Sequence, residues 1–139
     1  MTGKAFAETL LEESDFQFMA CLKGLSESDF EKKPVEHLMS MKECLEHMTE
    51  CCLAVQTISR GEKHDWGNYK FPEGTMSELI ALYQSERAKS SAIALERFEE
   101  ESHFAKDFFI AHEFYHVGQM AAVRMALEPD WNMYSIYRF

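Results

Sequence analysis

The chain has 139 residues, 46% hydrophobic and 27% charged, which suits one globular domain with a buried core. Its 24 Asp and Glu outnumber 14 Lys and Arg, giving a formal net charge of -10. A field of that sign repels nucleic-acid phosphates and an anionic membrane surface, so neither is expected as a partner.

The segment from Met1 to Glu8 lacks the apolar stretch of a signal peptide, and no later run is apolar enough to span a bilayer. The expectation is a cytoplasmic protein. Cys21, Cys44, Cys51 and Cys52 lie inside helical patterns, which predicts free thiols in a reducing compartment.

Gly and Pro are few and fall between periodic segments, so the prediction is all-α. A first helix is expected from about Lys4 to Lys23. Phe6, Leu10, Leu11, Phe18, Cys21, Leu22 and Leu25 form its apolar stripe, and Gly24 is its stop. Residues 26–39 form a connection in which Ser26 to Asp29 begin a short helical turn and Pro34 interrupts. Ser40 followed by Glu43 is a capping box, each side chain satisfying a backbone N–H of the other. The second helix should run from there to about Ser59, with Gly61 just beyond.

Residues 61–74 are long and rich in breakers, fit to cross a bundle end and carry substrate-facing groups. Thr75 with Glu78 predicts a second capping box. The third helix should reach about Glu99, with a stripe of Leu79, Ile80, Tyr83, Ile93, Ala94 and Phe98. Its polar middle, Gln84 to Ser91, is expected to be its most solvated part, and Glu99 to Glu101 a solvated end. A fourth helix should begin near Phe104 and end by Leu127, because Pro129 cannot continue it. The tail, residues 129–139, contains Trp131, Tyr134, Tyr137 and Phe139. It either folds back over the bundle or makes a homodimer contact. Four long amphipathic helices imply a single-domain four-helix bundle over residues 1–139, with long connections after the first and second helices.

His112 and His116 are one helical turn apart, so they share a face with Cβ atoms about 6 Å apart. Two such imidazoles can reach one metal ion. His37 and His64 fall in connections, and His103 precedes the fourth helix. His47, in the second helix, would be a third ligand if it faced the bundle interior. Spacing alone favours a plainer role for it, hydrogen-bonded to Glu43 or Glu50. Three imidazoles would leave a coordination position open, the pattern of catalytic zinc. The run His112-Glu113-Phe114-Tyr115-His116 also matches the zincin pattern H-E-x-x-H, but no His follows His116 and no strand pattern is visible, so protease activity is not expected. Cys44, His47 and Cys51 share a helical face and offer a Cys/His metal set or ordinary core packing, the latter favoured. Cys51 and Cys52 point about 100° apart on a helix and do not suggest a chelating pair.

The runs Ser40-Met41-Lys42-Glu43-Cys44-Leu45-Glu46-His47-Met48 and His112-Glu113-Phe114-Tyr115-His116-Val117-Gly118-Gln119-Met120, with Val123-Arg124 after them, resemble the DinB/YfiT-like family over almost the whole chain. The resemblance implies an up-down-down-up four-helix bundle and one divalent ion, zinc or nickel, held by His47, His112 and His116. It also implies a homodimer. Val117 stands where many relatives carry a basic residue. Characterised relatives include metal-dependent transferases and isomerases that use low-molecular-weight thiols such as bacillithiol or mycothiol.

The expected function is therefore thiol transfer to an electrophilic small molecule, with Glu43, Glu50 and Tyr115 as candidate supporting or proton-transfer groups. The alternatives are a non-catalytic metal-binding or stress-response dimer, and a metal-dependent hydrolase.

Overall fold

The computed structural model describes residues 1–138; Phe139, the last of the tail aromatics, lies outside them. The described residues are helical with no strand. The helices are α1 (Gly3–Leu22), a short α2 (Glu27–Phe30), α3 (Met41–Ser59), α4 (Met76–Glu96) and α5 (Ala111–Leu127). A π-helical segment, Phe104–Ile110, leads into α5, and a 3-10 turn, Met133–Ile136, follows it. Among the described residues, no helix is long and apolar enough to cross a membrane.

The expected starts and stops reflect local chemistry. Thr2, Ser26, Ser40 and Thr75 each accept a backbone N–H of the first turn that follows. The Ser40–Glu43 box is complete in both directions. The second box is not: Glu78 takes the Thr75 hydroxyl at 3.2 Å rather than the Thr75 backbone N–H. Gly24 (φ 74°) and Gly61 (φ 78°) supply the left-handed conformation after α1 and α3.

The fourth predicted helix differs most from expectation. Its first seven residues are π-helical, and the Ala111 N–H reaches back to the Lys106 carbonyl. Each such bond fits one more residue into the turn than an α-helix holds, so the segment re-phases α5 relative to the buried Phe104, Ala105 and Phe109.

The core lies among α1, α3, α4 and α5 and includes Phe18, Leu45, Met48, Tyr83, Phe109 and Met120. Phe18 stacks on Tyr83 at 5.1 Å between ring centroids. α3 packs mainly on α4, and α1 on α5. The polar middle of α4 is solvated on one side only, with Gln84, Ser85, Ala88 and Lys89 exposed. Ser90 is buried and donates to the Cys52 carbonyl at 2.6 Å, and Arg87 is buried across from α5.

The connection after α3 is tied back onto that helix. The Gly67 N–H donates to Glu50 at 2.8 Å, and the Phe71 N–H to Glu46 at 2.8 Å. The chain thus retraces α3 toward its N-terminal half before α4 begins. The tail folds back: Ile136 is buried, Trp131 packs on the core and Arg138 pairs with Glu13 of α1 at 2.7 Å.

Candidate metal centre

α3 contributes His47, and α5 contributes His112 and His116. The Nε2 of His112 lies 3.0 Å from that of His47 and 2.9 Å from that of His116. The His47 ring meets both others edge-on, with centroids 4.9 and 5.1 Å away. His47 therefore faces neither Glu43 nor Glu50, contrary to what spacing favoured. Glu43 is committed to the cap at Ser40 and Glu50 to the loop.

The outer nitrogens explain the orientation. The Phe108 backbone, one turn back, favours the protonated form of His112. His116 Nδ1 lies 2.9 Å from the Gln119 side-chain oxygen, and the Gln119 amide nitrogen in turn donates to the Tyr115 hydroxyl at 3.1 Å. Each neutral ring carries one proton. With that proton at Nδ1 in both rings, two Nε2 lone pairs would face each other at 2.9 Å. Such a contact is repulsive unless a proton or a cation sits between them.

Protonation is the weaker answer. Burial, reinforced by mutual repulsion within the cluster, lowers the His112 pKa and pulls that of His116 down to about 4. Burial also lowers that of His47, against the opposing effect of Glu50. A metal ion fits better. Two nitrogens on one tetrahedral zinc, bonded at about 2.0–2.1 Å, stand roughly 3.3–3.4 Å apart. The observed separations lie within a few tenths of an ångström of that, and hydrogen-bonded outer nitrogens are the usual support of ligating imidazoles.

Cys51 adds a sulfur. Its Sγ lies 3.7 Å from His112 Nδ1 and 4.0 Å from His47 Nε2. The ligand atoms of His47, Cys51 and His112 can be chosen within 4.8 Å of one another, a group able to hold a metal ion. Burial pushes the Cys51 thiol up to about 12, with nearby carboxylates adding to the rise. Cys44, on the same face two turns earlier, is buried in the core.

The loop roofs this end of α3. His64 Nε2 meets Glu50 at 3.1 Å, and its ring packs against Trp66 at 4.5 Å. Trp66 leans on Phe108, one turn before His112. Half of Trp66 remains exposed.

Glu113 is excluded as a zincin-type base. It is 0% exposed and engaged by Arg87, Tyr83 and Ser14, on a different face of α5 from the imidazoles. Of the candidate supporting groups, Tyr115 stands beside His116 at 5.0 Å and is 62% exposed. Sequence reasoning gave no role to Gln119, although its i+3 spacing from His116 was a readable signal. Comparison of the chain with protein-family models, curated proteins and solved structures gives no match.

Proposed function

We propose that the protein binds one divalent metal ion through Nε2 of His47, His112 and His116, in a DinB-like bundle. The observation that carries this reading is the convergence of three imidazoles, with Nε2 of His112 3.0 Å from that of His47 and 2.9 Å from that of His116.

The up-down-down-up course belongs to the same reading. Ser14 pairs with Glu113, and the carbonyl of Cys21 with Arg124, so α1 and α5 advance together. Leu11 and Ser14 pair with Arg87 while Phe18 stacks on Tyr83, so α4 runs against α1. The retraced loop lets α3 and α4 run the same way.

The activity proposed is transfer of a low-molecular-weight thiol to an electrophilic small molecule. When bound, zinc or nickel would supply a Lewis-acid position where such a thiol is stabilised as the thiolate. In the transfer a C–S bond forms, the leaving group departs with its bonding pair, and the thiol proton goes to solvent. His47, His112 and His116 would hold the ion, and Gln119 orients the His116 ring. Trp66 and the 61–74 loop shield the site, and Glu46 and Glu50 anchor that loop.

Cys51 supports a second reading. A sulfur 4.0 Å from His47 Nε2 is placed to become a fourth ligand, and a closed Cys/His set is the pattern of structural, non-catalytic zinc.

Cobalt-loaded protein separates the two. In the thiol-transfer reading, a thiolate-to-cobalt charge-transfer band arises only when bacillithiol is added, and it persists in Cys51→Ala. A band present without added thiol and lost in Cys51→Ala supports the closed site. Absence of any band with added bacillithiol contradicts thiol transfer.

A further inference from the structure

We propose that the groove between α1 and α4 binds a small amphipathic monoanion, an apolar chain or ring bearing one carboxylate. Nothing in this proposal depends on the metal centre: no residue lining the groove belongs to α3 or α5.

The groove is half-open and has a volume of about 680 Å³. That falls within the roughly 300–1,000 Å³ of small-molecule sites. Its walls are mainly apolar, with Phe16 and Met19 on α1, Ile80 and Ala81 on α4, and Trp131 from the tail.

Its charge pattern selects the ligand. The whole chain carries 24 acids against 14 bases, yet among the described residues the groove is lined by no acid. The single charged lining residue is Lys23, which has no acidic partner among the described residues. A second cation lies behind the same end. The Arg124 guanidinium sits over the Trp131 ring at 5.5 Å and would stand 3.7 Å from a Cβ placed on Gly24. Glu128 neutralises it in part, but its buried Nε has no hydrogen-bond partner. The ligand's carboxylate therefore belongs at the Lys23–Gly24 end and its apolar body along Met19 and Ile80.

The test uses full-length protein carrying Trp66→Phe, so that Trp131 is the sole indole emitter. Decanoate, 1-decanol and decyltrimethylammonium are titrated below their aggregation limits while Trp131 fluorescence is followed. The proposal predicts saturable binding of decanoate, weaker binding of decanol and none of the cation. Lys23→Gln should weaken decanoate about threefold to fivefold, as for a solvent-accessible ion pair, and leave decanol unchanged. Ala81→Phe, which fills the groove from its exposed edge without adding an indole, should abolish both while the helical circular dichroism and melting temperature hold. Equal binding of the anion and the cation, or decanoate binding that survives Ala81→Phe, would overturn the proposal. So would a dimer that dissociates in Ala81→Phe with no decanoate bound, which assigns the groove to a second copy of the chain.

Discussion

Glu113 and Arg87 form a two-pronged ion pair in the middle of the bundle, with Nε to Oε1 at 2.6 Å and Nη2 to Oε2 at 2.8 Å. Tyr83 adds a third donor at 3.2 Å and Ser14 a fourth. Burial by itself would lower the Arg87 pKa, but the hydrogen bond and charge of Glu113 override it and raise the value. Because His112 precedes Glu113 directly, this clamp also fixes the rotation of α5 about its axis, and with it the direction of the imidazoles.

Removing one partner strands the other. Glu113→Ala should cost about 3–5 kcal/mol in urea unfolding, the range for a buried pair broken on one side. Asp15, 3.6 Å from Arg87, offers the guanidinium a partial replacement and sets the lower end of that range. The double variant Arg87→Met/Glu113→Leu should be more stable than either single charge removal.

Stability should fall on acidification through the histidines. The folded His116 pKa, near 4, lies below its ordinary 6.5, chiefly through burial. Between those values the unfolded chain binds more protons than the folded one, so stability is full above about pH 6.5 and declines as pH drops toward 4. Urea midpoints of metal-free protein across that window should show the loss, and His116→Gln should reduce it. Metal affinity of the folded protein should fall at the lower end of that window, as pH nears 4 and His116 takes up a proton, because protonated imidazole cannot ligate.

All four thiols should be inert in the folded protein. Burial pushes Cys21, Cys44 and Cys51 up to about 12, and raises Cys52 well above its ordinary value. A chromogenic disulfide reagent at pH 8 should react slowly with native protein and promptly with four thiols per chain in denaturant. Rapid reaction of one thiol in the native state would contradict the buried placement.

The loop should loosen without Glu50. This carboxylate accepts the Gly67 N–H and pairs with His64. Glu50→Ala should increase proteolytic nicking within 61–74 several-fold and red-shift Trp66 emission, with little change in helix content.

The helices were legible in the sequence because caps and stops are local: Ser40, Thr75, Gly24 and Gly61 act within one turn of themselves. The short turn after Ser26 was legible for the same reason. What needed three dimensions was pairing between elements. The polar run Gln84 to Ser91 reads as solvated until Arg87 meets Glu113 and Ser90 meets the Cys52 carbonyl. The π-helical start of the last helix has no Pro or Gly to announce it, since it is imposed by fitting Phe104 and Phe109 into one core. At the site, the i+4 pair His112 and His116 was readable from spacing. His47 was not, because nothing local says which way a single helical His points.

The central claim is tested most directly by metal content per chain, measured by plasma mass spectrometry after incubation with zinc or nickel and desalting. The account predicts about one divalent ion per wild-type chain and close to none in His47→Ala, His112→Ala or His116→Ala, each folded by circular dichroism. Wild-type protein that retains no metal, or a His47→Ala variant that retains a full equivalent, would contradict it.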